Sequence, residues 1–251
     1  AVVSRADLTA ALATVIHAVE KRNQIAILSN VLLLGHGDLL TVRSTDLDLQ
    51  ISVHIPAAAD SGMALTVPAH LLSDLVKKAP KSDYVSIIQP PFAEDGTFDG
   101  RAGVDFERAK YKLDAIIASD FPVMAESKYT HSFDIPGAVL WGSFDAVRGA
   151  ISTEETRYYL NGIYMHSIDV SGVGEVLRMV TTDGHRLYRQ DVAMPTGAAN
   201  MPGIIIPKKT IEVFQKLTKG KTCPEFITVA LSDSKLKLTY GNVEIVSKLI
   251  D

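Results

Sequence analysis

The sequence predicts an α+β fold in which one unit, two helices packed on antiparallel sheets, occurs twice along the chain. Three observations lead to this prediction. An order of helix, strand, hairpin, strand, helix and further strands recurs in each half of the chain. Four short motifs recur in the same order. The 251 residues also suffice for two domains of ordinary size.

The first copy begins with a helix from Arg5 to about Val19, because its apolar residues follow helical spacing. A strand from Asn30 comes next, then a Gly-His-Gly-Asp turn and a partly alternating segment from Leu39 to Val53. We expect a second helix from Ala69 to about Lys78 and final strands that end near Leu113.

The second copy repeats this order from a helix predicted at Pro136 to about Ile151. Small differences between the offsets are what insertions in hairpins would produce. The four matched pairs are Asn30 with Asn161 (161 − 30 = 131), Thr45 with Thr182 (182 − 45 = 137), Pro68 with Pro207 (207 − 68 = 139) and Lys112 with Lys248 (248 − 112 = 136).

The repeat predicts two domains, residues 1–122 and 131–251, joined by a linker over 123–130. The proline of Phe121-Pro122 disfavours helix in the residue before it and suits a junction. The second copy stops at Asp251, the counterpart of Ala115 (251 − 136 = 115). We therefore expect the chain to stop before the continuation of its own pattern.

The composition is that of a soluble globular protein, with 47% hydrophobic and 22% charged residues. The longest apolar runs fall far short of the ~20 residues that cross a bilayer, so no membrane is expected. The charged N-terminus does not read as a signal peptide, and the lone Cys223 fits a reducing cytoplasm. A net charge of −4 disfavours a nucleic-acid partner unless basic residues gather on one face.

Motifs for catalysis, metals or cofactors are absent from the sequence: it has no Walker loop, GxGxxG, HExxH, CxxC or GxSxG. Gly172-Val173-Gly174 is typical of a hairpin turn. Asp183 and His185, two residues apart, leave a hydrolase as one alternative. The first copy keeps the Thr-Asp pair at Thr45-Asp46 but has no histidine. The aspartate is therefore predicted to stabilise a turn, with its side chain hydrogen-bonded to local backbone amides.

Basic residues cluster at the second helix of each copy and after the first helix. They form either solvated helix faces or one surface that contacts phosphates without reading sequence. Tyr158 and Tyr159 either pack at a strand start or contact a nucleic-acid backbone. The basic residues are Lys21, Arg22, Lys77, Lys78, Lys81, Lys208, Lys209, Lys216, Lys219 and Lys221.

Taken together, these segments resemble the beta subunit of bacterial DNA polymerase III. The first domain is recognised in Ile27-Leu28-Ser29-Asn30, Ser44-Thr45-Asp46-Leu47, Thr66-Val67-Pro68-Ala69 and Asp120-Phe121-Pro122. The second is recognised in Arg157-Tyr158-Tyr159-Leu160-Asn161-Gly162, Thr182-Asp183-Gly184-His185-Arg186-Leu187 and Ile206-Pro207-Lys208-Lys209.

This resemblance implies the DNA-clamp, or processivity, fold and a non-catalytic function. Three such domains per subunit, in a head-to-tail homodimer when full length, close a ring around double-stranded DNA, and the third domain is expected to be absent from this chain. The helices line a basic hole, while the outside is acidic. The implied partners are the replicative polymerase catalytic subunit, the clamp loader and other proteins with clamp-binding motifs, all without a cofactor.

Carried over residue by residue, the resemblance implies three sets of positions. The DNA-contact residues are Arg22, Tyr158, Tyr159, Lys208 and Lys209. The residues of the peptide-binding cleft are Leu160, Thr182, Gly184, His185, Arg186 and Leu187. Tyr111 and Leu113 form a dimer edge and are expected to be exposed without the partner's third domain. Glu154 and His70 depart from the family pattern and weaken the expectation of DNA contact near them.

One further alternative is a two-domain clamp that closes as a trimer, as the eukaryotic and archaeal clamps do. The chain length favours it, whereas the bacterial motifs and the interrupted pattern at Asp251 disfavour it.

Overall fold

The computed structural model describes residues 1–20, 25–80, 82–90, 98 and 100–251. These residues form two compact units, Ala1–Met124 and Ala125–Asp251.

The first unit contains two α-helices and eight antiparallel strands in its described part. Its strands follow the order β7-β6-β5-β1-β3 and continue from β3 as β3-β2-β4-β8. The elements are β1 (Val2–Ser4), α1 (Arg5–Val15), β2 (Asn30–Thr45), β3 (Leu49–Ala59), β4 (Ala64–Pro68), α2 (Ala69–Lys78), β5 (Tyr84–Ile88), β6 (Arg101–Phe106), β7 (Ala109–Asp114) and β8 (Ile116–Ile117).

Helix α1 starts where the Ser4 hydroxyl accepts a hydrogen bond from the Asp7 amide at 3.4 Å. It buries Leu8, Leu12 and Val15, which lie on one face at intervals of four and three residues. The α-helix ends at Val15 and passes into a single 3₁₀ turn, so it is shorter than the sequence predicts.

The guanidinium of Arg5 closes the C-terminal end of α2. Its Nε donates to the Val76 carbonyl at 2.8 Å, and its Nη2 donates to the Ala79 carbonyl at 3.0 Å. The last carbonyls of a helix have no partner within the helix, so these bonds satisfy groups that would otherwise need water.

The stretch predicted as a Gly-His-Gly-Asp turn lies within β2. At this point Gly37 has a φ of +65° and the pairing register shifts between Gly37 and Leu39. The two parts of β2 pair with different strands, residues 30–34 with β4 and residues 37–45 with β3. The single segment predicted from Leu39 to Val53 is in fact interrupted after Thr45, where β2 turns into β3.

The second unit repeats this plan with sheets in the orders β16-β15-β14-β9 and β12-β11-β10-β13. Phe144 and Phe214, one from each helix, meet edge to face in its core with ring centroids 5.5 Å apart. The elements are β9 (His131–Pro136), α3 (Gly137–Val147), β10 (Gly162–Val170), β11 (Gly174–Thr182), β12 (Leu187–Ala193), β13 (Ile204–Pro207), α4 (Lys208–Leu217), β14 (Phe226–Leu231), β15 (Lys235–Tyr240) and β16 (Val243–Lys248).

The strand registers refine the alignment of the two copies. Asn30 lies opposite Pro68, and Gly162 lies opposite Pro207. The offset along this strand is therefore 162 − 30 = 132, one more than the match of Asn30 with Asn161 suggests. The hairpin predicted at residues 172–174 is confirmed, since β10 and β11 pair from Val170 with Gly174 onward.

Matching hydroxyl groups fix the first helix to the sheet in both units. The Ser44 hydroxyl donates to the carbonyl of Val15 at the end of α1. The Thr181 hydroxyl donates to the carbonyl of Val147 at the end of α3. Both bonds are buried, so each helix end is held at a fixed place on the strand beneath it.

Residues of the predicted linker are bonded to the second unit. The amide of Thr130 donates to the Leu231 carbonyl at 2.8 Å, and the Lys235 ammonium donates to the Ala125 carbonyl. Lys237 lies 4.6 Å from the centre of the Tyr129 ring. The segment from 125 onward is therefore held by β14 and β15.

No helix in the described part of the chain combines the length and the apolar character needed to cross a membrane.

Candidate functional site

The segment from Ser152 to Asn161 presents the two candidate tyrosines. The Ser152 amide donates to the Leu160 carbonyl at 3.1 Å, which brings the two ends of the segment together. The Asn161 side-chain amide donates to the Glu154 carbonyl at 3.1 Å. Between them a 3₁₀ turn, Glu155–Leu160, is broken at Arg157, whose φ and ψ are −113° and 51°.

Tyr158 and Tyr159 project from this segment into solvent, with exposed fractions of 57% and 49%. Their rings meet edge to face with centroids 5.8 Å apart. The sequence leaves two interpretations open, and one of them is that these rings pack at a strand start. Such packing would bury the rings. The pair instead offers two phenol groups to a partner, able to donate to phosphate oxygens or to stack.

Lys208 and Lys209 open helix α4 directly after Pro207. The Lys208 amide donates to the Asn161 carbonyl at 3.0 Å, which holds this helix end beside the tyrosine segment. Cations at a helix N-terminus add to the positive end of the helix dipole and so do not stabilise the helix. This placement therefore favours an anionic partner at the start of α4.

The other basic residues have different surroundings. Lys77 and Lys78 lie in the last turn of α2, where cations favour the helix, and Lys78 pairs with Asp74 at 3.1 Å. The interpretation as a solvated helix face suits these two. Arg22, predicted to contact DNA, lies outside the described residues, as do Lys21 and Lys81.

The turn after β11 is built by side chains that bond its own backbone. Asp183 Oδ1 accepts from the amides of His185 and Arg186, both at 3.0 Å. Thr182 Oγ1 accepts from the Gly184 amide at 3.1 Å and donates to the Arg186 carbonyl at 2.8 Å. The prediction that Asp183 stabilises a turn through backbone amides is confirmed. Gly184 supplies the positive φ, +89°, that the turn requires.

The first unit contains the same turn after β2. Asp46 Oδ1 accepts from the amides of Asp48 and Leu49 at 2.9 and 2.7 Å. Thr45 Oγ1 accepts from the Leu47 amide at 3.1 Å and donates to the Leu49 carbonyl at 3.0 Å. Leu47, with φ of +81°, takes the place of Gly184.

These bonds keep the Asp183 carboxylate ionised. The backbone amides of His185 and Arg186, followed by the Arg186 guanidinium, lower the pKa of Asp183 to about 2. Oδ2 accepts from Arg186 Nε at 2.9 Å. The carboxylate is thus committed to the turn and to Arg186, whereas a hydrolase would need it to orient the His185 ring. The hydrolase alternative is not supported.

The residues predicted for a peptide cleft meet around this turn. Leu187 begins β12 with 61% of its surface exposed, and Thr182 lies opposite it in the sheet. Gly184, His185 and Arg186 are exposed, while Leu160 is half-buried. Arg186 also lies 6.0 Å from the centre of the Tyr188 ring.

Arg157 connects the tyrosine segment with this turn. Its Nε and Nη2 donate to the two carboxylate oxygens of Glu154 at 2.7 and 2.6 Å. Its Nη1 lies only 2.9 Å from the point that a Cβ at position 184 would occupy. Sequence reasoning missed this role, because the contact depends on the missing side chain of a glycine far along the chain.

The expectation for the dimer edge is wrong in one respect. Leu113 is only 3% exposed and so belongs to the core of its own unit. Tyr111 is half-buried and meets Phe106 edge to face at 5.9 Å. What β7 leaves available is its backbone, because β6 is its only strand partner among the described residues of the first unit.

No group of three or more His, Cys, Asp or Glu side chains that could hold a metal ion is found among the described residues.

The two units therefore define a protein of repeated α+β domains, with two exposed tyrosines next to the start of α4 and a Thr-Asp turn that is followed by the exposed Leu187. Models of known protein families match both units of the chain. The model of the DNA polymerase III beta subunit N-terminal domain matches residues 1–125, and the model of its central domain matches residues 134–251. The chain belongs to the DNA polymerase III beta subunit family.

Two relatives illustrate the similarity. The beta sliding clamp of Caulobacter vibrioides is 39% identical over 249 residues, which cover 99% of this chain and 64% of that protein. That of Rickettsia bellii is 33% identical over 254 residues, which cover 100% of this chain and 63% of that protein. The chain thus spans slightly less than two thirds of the length of these relatives.

Solved structures show the same fold. Caulobacter crescentus pol III beta superposes with a TM-score of 0.90 at 38% identity, covering 100% of this chain and 65% of that chain. The DnaN sliding clamp of Bartonella birtlesii bound to griselimycin has a TM-score of 0.88 at 34% identity, covering 100% and 64%.

The contact between Arg157 and Gly184 leads to a first prediction. Gly184→Ala should destabilise the protein by ~1–2 kcal/mol through the left-handed backbone, and it should also displace the Arg157 guanidinium. The NMR signal of the Arg157 Nε–H group reports the displacement. Gly172→Ala is the matched control, because Gly172 has a φ of +80° and open space for a Cβ. An Arg157 signal that moves equally in both variants would contradict the contact.

The pKa of Asp183 leads to a second prediction. A folded-state pKa of about 2 lies below the ordinary value of 3.8, so the ionised group stabilises the fold. That stabilisation should be complete above about pH 4 and disappear as the pH falls through 2. NMR titration of the side-chain carbon should show a midpoint near 2. The stability difference between the natural protein and Asp183→Asn should shrink over the same range, and a midpoint near 3.8 would refute the assigned bonds.

Proposed function

We propose that the protein is a DNA polymerase processivity factor: a non-catalytic sliding clamp that encircles double-stranded DNA without reading its sequence. Its membership of the beta subunit family, over both units in order, is the observation that carries this proposal. We further propose that it acts in the cytoplasm as a head-to-tail homodimer in its full-length form.

For DNA contact we propose Arg22, Tyr158, Tyr159, Lys208 and Lys209. The exposed tyrosine pair and the lysines at the start of α4 are held together by the bond from the Lys208 amide to the Asn161 carbonyl. Phenol groups, ammonium groups and a helix N-terminus all suit phosphate oxygens, and none of them reads a base. This chemistry explains how a chain with net charge −4 can bind DNA locally.

For peptide capture we propose a cleft formed by Leu160, Thr182, Gly184, His185, Arg186 and Leu187. Leu187 offers apolar surface, Gly184 permits close approach of a peptide backbone, and the neighbouring polar groups supply donors at the rim. The proposed ligands are short linear motifs of the polymerase catalytic subunit, the clamp loader and other clamp-binding proteins.

The free edge of β7 is the proposed contact with a partner subunit. Because Leu113 is buried, the contact would use main-chain hydrogen bonds and the half-buried Tyr111 ring. The trimeric two-domain alternative has no observation in its favour beyond chain length, and the matched relatives are longer than this chain.

Topology gives the direct test of a clamp. The full-length gene product, loaded by a clamp loader onto nicked circular DNA, should remain bound through gel filtration in high salt. Cutting the circle should release it, because a ring slides off an end. Retention that is the same on circular and linear DNA would overturn the proposal.

The proposed phosphate contacts lead to a third prediction. Each contact contributes about 0.9 to the slope of log affinity against log salt concentration. Lys208→Ala with Lys209→Ala should therefore flatten the slope by up to about 1.8, equally on all DNA sequences. The control is Arg108→Ala with Lys128→Ala, two exposed basic residues outside the proposed surface, which removes the same charge. A loss confined to some sequences, or an equal effect in the control, would argue against these contacts.

The cleft leads to a fourth prediction. Burying a leucine side chain is worth roughly 1.5–3 kcal/mol, so Leu187→Ala should lower affinity for a polymerase C-terminal peptide by about tenfold or more. Fluorescence anisotropy with the labelled peptide measures this on the full-length product. Val173→Ala, at the most exposed aliphatic residue of the second unit, should change the affinity little. Equal affinities in the two variants would remove Leu187 from the cleft.

A further inference from the structure

A groove lies between helices α3 and α4 of the second unit. Its volume is about 520 Å³, within the ~300–1,000 Å³ that is typical of small-molecule sites. Trp141 of α3 and Gln215 of α4 both line it, together with charged side chains of the two helix ends. The proposed contacts with duplex DNA and the proposed peptide cleft use none of these residues, so the groove is a separate feature of the unit.

Gln215 has buried polar groups that the protein does not satisfy. The residue is only 6% exposed, and neither its amide oxygen nor its amide nitrogen has a hydrogen-bond partner in the described part of the chain. Buried donors and acceptors without a partner destabilise a fold and are rare. The outermost torsion of a glutamine side chain is broad, so rotation can turn either group toward the groove. Gln215 therefore offers one donor and one acceptor to a ligand.

The first unit has no such groups at the matching place. Helices α2 and α4 begin at Ala69 and Lys208, so Gln215 corresponds to Val76 (208 − 69 = 215 − 76 = 139). Val76 is fully buried. An aliphatic side chain thus meets the packing needs of this helix position, and the glutamine of the second unit is not required by the fold. Its polar groups point to a ligand instead.

Trp141 is fixed at the groove by a hydrogen bond to the same residue. Its Nε1 donates to the backbone carbonyl of Gln215 at 3.2 Å, just as Arg5 Nε donates to the Val76 carbonyl in the first unit. The bond orients the indole ring, which remains partly exposed. An oriented indole with an exposed part is a surface on which a nucleobase can stack, whatever its sequence context.

The charged side chains of the groove suit a single phosphate group. Lys216 and Lys219 are exposed, and Arg148 is paired with Asp145 at 2.9 Å. Glu212 adds a second carboxylate. Three cations and two carboxylates leave one positive charge (3 − 2 = 1), which favours one phosphate group over a polyphosphate.

We propose that the groove between α3 and α4 binds an unpaired adenine nucleotide, with the base stacked on Trp141 and the phosphate beside Lys216 and Lys219. Gln215 selects the base, because a glutamine amide can accept from the exocyclic amine of adenine and donate to its ring nitrogen. The nucleotide is unpaired because the faces of paired bases are stacked inside a duplex and cannot reach an indole. The inference goes beyond the proposed function, since contact with duplex DNA needs no such pocket.

The single tryptophan of the chain reports binding directly. Adenosine monophosphate, titrated into the 251-residue chain, should quench the fluorescence of Trp141 saturably. It should bind at least about fivefold more tightly than uridine monophosphate, the low end for one bidentate base contact. Adenosine, which lacks the phosphate, should bind more weakly and with less dependence on salt. A titration without saturable quenching, or equal affinities for the two nucleotides, would overturn the proposal.

Gln215→Val, which copies Val76, separates loss of the ligand from damage to the fold. The variant should melt at a higher temperature than the natural protein, because it removes two unpaired buried groups. It should also bind the adenine and uracil nucleotides equally. A lower melting temperature would show that the amide already has its bonds, and a surviving preference for adenine would remove Gln215 from recognition. Either result contradicts the proposal.

The lysines have a matched control in the first unit. Lys216→Ala with Lys219→Ala should weaken the binding of adenosine monophosphate severalfold, because the variant loses both phosphate contacts. Lys77→Ala with Lys78→Ala, which removes the same charge from the end of α2, should leave the affinity unchanged. Equal losses in the two double variants would mean that general electrostatic attraction, and not the groove, binds the nucleotide.

Two sources can supply such a nucleotide, the free nucleotide pool and a single strand of nucleic acid. Oligothymidylate with one central adenine tests the second source, with plain oligothymidylate as its control. Quenching that depends on this adenine assigns the groove to a nucleic-acid strand, whereas quenching by adenosine monophosphate alone assigns it to the free nucleotide. If none of these probes quenches Trp141, the groove is not a nucleotide site.

Discussion

Two buried carbonyl groups set the geometry of this chain. The last turn of α1 and that of α3 end against a strand, where water cannot reach the carbonyls of Val15 and Val147. A hydroxyl on the strand satisfies each of them, Ser44 in one unit and Thr181 in the other. An alanine at either strand position would leave a buried acceptor without its bond, which typically costs ~1–3 kcal/mol. The helix can therefore neither slide nor rotate on the sheet without losing this bond.

The same bond positions the proposed functional surface. The residue after each hydroxyl is the threonine of the Thr-Asp turn, so the turn is fixed relative to the helix end. In the second unit Gly184 of that turn lies against the guanidinium of Arg157. Arg157 belongs to the segment that contains the two tyrosines, so the turn also positions that segment. The proposed peptide surface and the proposed DNA surface thus share one support. The bidentate pair with Glu154 occupies the guanidinium of Arg157, the residue directly before the two tyrosines in the sequence.

The repeat, the helices and the Thr-Asp turns could be predicted from the sequence because each depends on local chemistry. Ser44-Thr45-Asp46 and Thr181-Thr182-Asp183 encode their own hydrogen bonds, and the prolines before α2 and α4 mark where those helices start. The site residues came from a resemblance, and their placement here is consistent with it for Tyr158, Tyr159 and Leu187. The burial of Leu113 could not be predicted. Alternation along a strand says which residues share a face but not whether that face packs on its own unit or on another.

Leu47 marks a difference between the otherwise matching turns of the two units. The Thr45 and Asp46 bonds force it to a φ of +81°, a conformation that a leucine avoids and a glycine adopts freely. The hydrogen bonds of the turn, and not the preference of the leucine itself, therefore impose this conformation. In the second unit a glycine stands at this position, and the space that its side chain would take is occupied by the Arg157 guanidinium. The same backbone turn therefore carries a leucine side chain in one unit and admits a cation in the other.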